Sequence, residues 1–458
     1  MMDWREGGSS AGRGDYPEMA RLRRKKRRRR ATLLAWSAVA VLLFLIVGSG
    51  AFLIARNRGK RQEKPVRNQQ AVEEASRAEV LGEQRKKQEE TKTSALSQTD
   101  LRKEQVRKTI SGMTLEEKVA GLFVISEDQW RKDRGILEAE KGENHALTGI
   151  PVGGLAFSSA DFTTKEQLHS LLQEAKAQSK YPLFLLPEGD GSWLRGAVTG
   201  EPPSSASSQE ESVKDDLAIV TEAHSEDVRN EVEEEARENG IFLKNLGFNL
   251  CLLPCANLKE EGGGNASTSL EEDATTQAQT VAENSTAIVR GLQAGGIWPA
   301  AGNFPVAGEE DVAGKTGITE CQKEMGRLQT EDFVPFRNCM SQDVPLIQMS
   351  NVILTRADID PLPCSLSSGM IEGQLRKTLG YDGIVMTDAL NQRAVTDRFT
   401  SEAAAVDALL AGADLVYLPE NFAKAYQGVL DAVESGTLTE ERIDASLSRI
   451  YKIKLSQS

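Results

Sequence analysis

Short apolar runs recur through the last three quarters of the chain. They read LFVI (122–125), VGGLAF (152–157), YPLFLLP (181–187), FNLCLLP (248–254), GIWPA (296–300), VPLIQMS (344–350), DGIVMTD (382–388) and ADLVYLP (413–419). Each has the length of a strand and is apolar throughout, the pattern of strands buried on both faces. Segments with helical periodicity separate most of them, such as KEQLHSLLQEAKAQS, DVRNEVEEEARENG and AAAVDALLAG. Eight strand–helix units over about 350 residues predict an α/β fold, a (β/α)8 TIM-type barrel with long insertions. A doubly wound open sheet is the rival, and no glycine-rich phosphate fingerprint follows the first run to support its nucleotide-binding form. In MTLEEKVAGLF, Thr114 stands three residues before Glu117, a capping box that opens a short helix near the start of the folded part.

The front of the chain follows a different pattern. Residues 31–55, ATLLAWSAVAVLLFLIVGSGAFLIA, hold no charge and are long enough for a single transmembrane helix. A cleaved signal peptide would have a shorter apolar core. The basic block RLRRKKRRRR at 21–30 precedes the span, so the positive-inside rule assigns residues 1–30 to the cytoplasm and the rest to the outside of a cell membrane. Residues 56–108 are rich in Lys, Arg, Glu and Gln and read as a charged stalk. The barrel domain then spans 109–458.

Composition changes this picture in three places. The net charge is −13 despite the basic block, so the body is acidic and no nucleic-acid partner is expected. Five cysteines lack zinc-type spacing, and no pairing among them can be read. Only three histidines occur, His145, His169 and His224, which limits the general acids the chain can offer. Three polar stretches, 127–147, 198–216 and 259–268, read as insertions or loops, and on a barrel the loops that follow strands form the active face.

The seventh run ends on a charge. YDGIVMTDAL places Asp388 directly after Ile384-Val385-Met386 and Thr387. An aspartate there is either the N-cap of a following helix or a catalytic group at the mouth of a barrel.

The order of motifs resembles the barrel domain of glycoside hydrolase family 3, in its β-N-acetylglucosaminidase branch. The matching pieces include MTLEEKVAGLFVI, LGFNLCLLPCANL, IVRGLQAGGIWPAAGNFP, EDFVPFRNCMSQDVPLIQMSNV, SLSSGMIEGQLRKTLGYDGIVMTDALNQRAV and AVDALLAGADLVYL, and together they cover roughly 108–458. The resemblance implies retaining hydrolysis of β-linked N-acetylglucosaminides, with cell-wall material such as peptidoglycan among the glycan partners. It implies no metal and no organic cofactor. Asp388 matches the aspartate of the family's T-D-x-L motif, the nucleophile. Retaining hydrolysis needs a second group, an acid that protonates the leaving oxygen.

At that second position the sequence departs from the family. The family's K-H-F-P-G-H-G-D-T-x-x-D-S-H reads GNFPVAGEEDVAGK at 302–315. Gly302 and Asn303 replace the sugar-contacting Lys-His, and Ala313 and Lys315 replace the Asp–His acid. Glu309, Glu310 and Asp311 lie in the same loop and are candidate substitute acids; a solvated acidic loop is the plainer reading. The family's D-Q-E-G-G-x-V-x-R reads LPEGDGSWLR at 186–195, so Leu186 replaces the leading aspartate while Glu188 and Arg195 survive. Asn351 stands where the family has histidine. The expected substrate contacts are therefore Glu188, Arg195, Asn303 and Asn351. Trp193 and Trp298 are candidates for stacking on a sugar or for the core. Two functional readings stay open: a glycosidase, or an inactive relative that keeps the barrel and acts as a glycan-binding or envelope scaffold protein.

Overall fold

The computed structural model describes residues 100–131, 151–189, 191, 193–194, 226–258, 274–307 and 319–456. All of them lie in the compact unit Ser94–Ser458. Ten strands occur in chain order: β1 Phe123–Ser126, β2 Gly154–Phe157, β3 Phe184–Pro187, β4 Leu250–Cys251, β5 Trp298–Phe304, β6 Glu320–Cys321, β7 Leu346–Met349, β8 Ile353–Leu354, β9 Ile384–Met386 and β10 Val416–Tyr417. Parallel ladders join β10-β1-β2-β3 and β4-β5-β7-β9.

Two seams close these halves into one ring. Between β3 and β4, the Asn249 N–H donates to Leu185 O at 3.0 Å, and the Leu185 N–H donates to Asn249 Oδ1 at 2.8 Å. Between β9 and β10, Met386 pairs with Leu415, and the Thr387 N–H donates to Leu415 O. The eight apolar runs thus become the eight staves of a parallel (β/α)8 barrel. The short pair β6–β8 stands outside the ring order. Its two-residue strands, one of them beginning on exposed Glu320, are too short to show as a hydrophobic pattern.

Local chemistry explains several of these elements. Thr114 caps the helix Leu115–Ala120 as expected, with the Glu117 N–H on its hydroxyl and the Glu117 carboxylate on the Thr114 N–H. The helix 100–111 buries Val106 and Ile110 against the core. In β2, a Cβ on Gly154 would lie 2.7 Å from Phe184 O, so the VGG sequence lets β2 and β3 approach. Phe304 packs against Phe333 and Phe336 at ring separations of 4.9 and 5.0 Å, tying β5 to the helix Phe333–Ser341. None of the five cysteines is in a disulfide.

The expected single-pass membrane location is corrected here. No helix among the described residues is long and apolar enough to cross a membrane. The two of sufficient length, Glu226–Leu246 and Ala274–Gly295, carry charged or polar faces and pack on each other. The segment 31–55 on which that expectation rested, with the basic tail and the stalk to residue 99, lies outside the described residues.

The amino-terminal end of the barrel holds a buried cation. Lys454, on the helix Glu440–Lys454, donates to Gly153 O at 2.6 Å and lies 4.7 Å over the Phe184 ring. Burial pushes its amine down to about 7. The folded state therefore holds this proton less tightly than the unfolded chain, and the group's contribution to stability grows as pH rises above about 7. Lys454→Met should remove that dependence. Between pH 7 and pH 9, wild type should gain about 2 kcal/mol of unfolding free energy relative to the variant. Urea unfolding at the two pH values measures it, and a constant difference would contradict the expectation.

Candidate active site

The seventh barrel strand carries the sequence's leading candidate to the carboxyl end of the ring. β9 is fully buried, and Thr387 pins its end, accepting the Tyr417 N–H on Oγ1 at 2.9 Å. Asp388 then leaves the ladder. Its N–H donates to Ser365 Oγ at 3.0 Å, and Ser365 is itself buried and bonded to Ser350 O. The next helix, Arg393–Thr396, has Gln392 as its N-cap, so Asp388 is not a helix cap.

The Asp388 carboxyl meets neutral donors. Oδ1 accepts the Ala389 N–H at 2.8 Å, with Gln392 Nε2 at 3.4 Å and Gln348 Nε2 at 3.5 Å at the edge of bonding distance. The side chain of Asn303 and the backbone N–H of Asn351 also face it. Burial is the larger influence and raises the carboxyl to about 6, while these donors pull it down. At neutral pH the carboxylate prevails, and part of the residue's surface stays open.

The donors are themselves held. Gln348 is buried on β7. Asn303, near the end of β5, has both backbone groups clamped by the Asn257 side chain after β4: its N–H donates to Asn257 Oδ1 and its C=O accepts Asn257 Nδ2, each at 2.8 Å. Asn351 is buried, and its Nδ2 donates to Ala389 O and to Gln392 Oε1, both at 2.9 Å. It thus orients the turn and the glutamine that contact Asp388, while its Oδ1 is buried without a partner among the described residues. Gln348, Gln392 and Asn257 were not among the residues singled out from sequence. Gln348 left a trace, as the one polar side chain inside the LIQM strand; the other two sit in loops that carry no pattern.

Three acidic side chains line the opposite arc of the mouth. Glu188 follows β3, Glu127 follows β1 and Asp161 follows β2. Burial, with the charges of Asp161 and Asp128 beside it, raises Glu188 above the usual carboxylate range. Tyr417, on β10, is buried, and burial, with the charges of Glu188 and Asp388, raises its hydroxyl above the usual phenol range. Glu127, Asp128 and Asp161 bring carboxylate oxygens within 4.8 Å of one another. Arg131 pairs with Glu127, and the Ser158 N–H bonds Asp161 at 2.6 Å. Trp298 opens β5 at the far end of the barrel, buried edge-on to Phe184 at 5.6 Å, and belongs to the core. Trp193 is half-buried near Glu188, stacked on Phe162 at 5.9 Å. Arg195, Glu309, Glu310 and Asp311 lie outside the described residues.

Comparison with known proteins agrees with this architecture. The family model described as "Glycosyl hydrolase family 3 N terminal domain" matches residues 114–453. The chain is 23% identical over 242 residues to Beta-hexosaminidase A of Pseudoalteromonas piscicida, which spans 47% of this chain but only 39% of that relative. It is 24% identical over 327 residues to a Beta-hexosaminidase of Idiomarina loihiensis, covering 69% of this chain and 91% of the relative. Among solved structures, a glycoside hydrolase family 3 β-N-acetylglucosaminidase from Paenibacillus sp. str. FPU-7 superposes with a TM-score of 0.58 at 24% identity, over 76% of this chain and 64% of that one. The β-N-acetylglucosaminidase of Thermotoga maritima gives 0.57 at 18% identity, over 74% and 67%. At these identities the structural likeness speaks for the fold.

Proposed function

The chain belongs to glycosyl hydrolase family 3, and on that premise we propose that it is a retaining glycosidase of the β-N-acetylhexosaminidase type with Asp388 as its nucleophile. The observation that carries this reading is the setting of Asp388. It is a carboxylate at the carboxyl end of a barrel strand, with Oδ1 facing three N–H donors on a buried frame. Holding one oxygen leaves the other to approach an anomeric carbon, and a rigid strand end fixes the line of approach.

The relatives named β-hexosaminidase support a β-linked N-acetylhexosamine glycan as the substrate class, and peptidoglycan is one glycan of that class. Asn303 presents a neutral amide beside the nucleophile, suited to sugar hydroxyl or acetamido groups, and Glu188 faces the same mouth. A second reading has its own observation: Ala313 and Lys315 stand where the family has its Asp–His acid. On that reading the barrel binds a glycan without turning it over.

A mechanism-based label separates the two. A 5-fluoro glycosyl fluoride of N-acetylglucosamine, whose leaving group needs little help from an acid, should esterify Asp388. Intact-mass analysis would show one added glycosyl unit, mapped to the peptide containing Asp388 and absent from Asp388→Ala. Labelling should quicken as pH rises through about 6, because attack needs the carboxylate. No added mass at any pH would remove the glycosidase reading and leave glycan binding to be measured.

A further inference from the structure

The Asp388 carboxyl is one member of a closed ring of hydrogen bonds. Its Oδ1 accepts the Ala389 N–H at 2.8 Å, and the Ala389 C=O accepts Asn351 Nδ2 at 2.9 Å. The same Nδ2 donates to Gln392 Oε1 at 2.9 Å, and Gln392 Nε2 returns to Asp388 Oδ1 at 3.4 Å. We propose that Asn351 is a positioning residue of this site, one that fixes the direction of the Gln392 amide so that its N–H, and not its C=O, is presented to the nucleophile. The assignment rests on the glycosidase reading above.

The ring can run in one direction only. Ala389 O is a backbone carbonyl and only accepts, so the Asn351 amide must face it with nitrogen. Both Nδ2 protons are then committed, one to Ala389 O and one to the Gln392 amide. The Gln392 atom that meets a committed N–H must be oxygen, which leaves nitrogen for Asp388. The frame behind the ring is rigid. Asn351 and Ala389 are buried, and the Gln392 N–H also donates to Ala389 O at 3.3 Å. Gln392 itself is exposed. A long side chain in solvent gives up rotamer freedom only where a partner holds it. The contact with buried Asn351 is the shorter of the two described for its amide. Catalytic hydrogen bonds often stand long until substrate binds, so 3.4 Å is a serviceable starting distance to the carboxylate.

The direction matters chemically. A neutral donor on Oδ1 favours the carboxylate, the form that attacks an anomeric carbon, whereas a carbonyl oxygen there would favour the protonated acid. Among the described residues, the other groups that meet Asp388 are neutral: Asn303 from β5, Gln348 from β7, and the backbone N–H groups of Ala389 and Asn351. Tyr417 on β10 is a titratable neighbour, and burial keeps its phenol protonated well above neutral pH. Glu188, whose charge also acts on that phenol, is the same in every variant below.

The test is the pH dependence of Asp388 labelling by the 5-fluoro glycosyl fluoride, in wild type and in four variants. Wild type should label with a midpoint at about 6. Gln392→Met and Asn351→Leu should each raise that midpoint by about half a unit to one unit. The Asn351→Leu/Gln392→Met double variant should match the single ones, because the first residue acts through the second. Asn351→Asp keeps the shape of the side chain but accepts where asparagine donates, so Gln392 should turn its N–H toward the new carboxyl and its C=O toward Asp388. In that background Gln392→Met should lower the midpoint, the opposite of its effect in wild type. A reversal of sign cannot come from the added charge or from a loss of packing, and it remains readable if Asn351→Leu does not fold. An unmoved midpoint in Asn351→Leu, full additivity, or the same sign of the Gln392→Met shift in both backgrounds would overturn the assignment and leave the nucleophile's role intact. If wild type does not label at any pH, the glycosidase reading falls and takes this assignment with it.

Discussion

Asp388→Asn is expected to abolish turnover and, at neutral pH, to make the protein more stable. The first effect follows from the nucleophile's role proposed for Asp388: an amide nitrogen or oxygen is a poor nucleophile at carbon, and loss of a nucleophile costs on the order of 10³-fold or more in kcat. The second follows from linkage. Burial raises the folded carboxyl to about 6, against an unfolded value near 3.9. Between these values the folded state holds the proton more tightly than the unfolded chain. The stability the group contributes is complete below about pH 4 and is lost as pH rises through about 6. At pH 7.5 the ionised carboxylate is therefore a net burden of about 2 kcal/mol, moderated by the solvent that the residue still meets. Asparagine keeps the oxygen that meets Ala389 N–H and Gln392 and carries no charge to desolvate. The variant should melt a few degrees above wild type at pH 7.5 and with it at pH 4. An equal shift at both pH values would mean that the carboxyl is not strained by burial, and surviving turnover would remove Asp388 from the nucleophile's role.

The fold was legible in the chain for a physical reason that does not extend to the site. Parallel strands buried on both faces must be apolar throughout, so LFVI, GLAF, FLLP and IVM stand out from the helices around them, and all eight runs became staves of the barrel. Asp388 was visible for the same reason, as a charge ending such a run. The residues that tune it were not. Gln392 and Asn257 are ordinary amides in loops, and their roles exist only once the turn after β9 and the ends of β4 and β5 come together. Tyr417 reads as one more large apolar residue in DLVYL, and only the closure of β10 against β1 puts its hydroxyl near Gly189. Asn351 illustrates the converse. Its position in a motif marked it as a sugar contact, and the structure adds a bond from its buried amide to Ala389 and to Gln392 that supports the turn carrying Asp388.

Asp414→Ala is expected to produce the largest loss of stability of any single change considered. Asp414 has no exposed surface and is the acceptor at the centre of a network at the amino-terminal end of the barrel. Oδ2 accepts Arg376 Nη2 at 2.6 Å and the Val385 N–H at 2.9 Å; Oδ1 accepts Ser446 Oγ at 2.6 Å and Arg449 Nη1 at 3.1 Å. The carboxylate thus joins the start of β10, the strand β9, the π-helix Gly369–Thr378 and the final helix. Removing it leaves the Arg376 guanidinium buried without its counter-charge and deprives the Val385 N–H of its partner inside the ring. Breaking a buried pair from one side costs about 3–5 kcal/mol. A loss of less than about 1 kcal/mol in urea unfolding would show that water or the neighbouring groups replace the carboxylate. Arg376→Met combined with Asp414→Leu separates charge imbalance from lost structure. If the unpaired Arg376 guanidinium is the main cost, the double variant should recover part of the loss, while Arg449 and Ser446 stay without the carboxylate they bond. Recovery should be incomplete, since Arg376 also donates to Tyr381 O and Gly383 O and so fixes the loop that leads into β9. That loop sets where the strand begins, and the strand sets where Asp388 ends. A variant that still folds should therefore lose activity beyond its loss of stability, a link between the closed base of the barrel and the chemistry at its mouth.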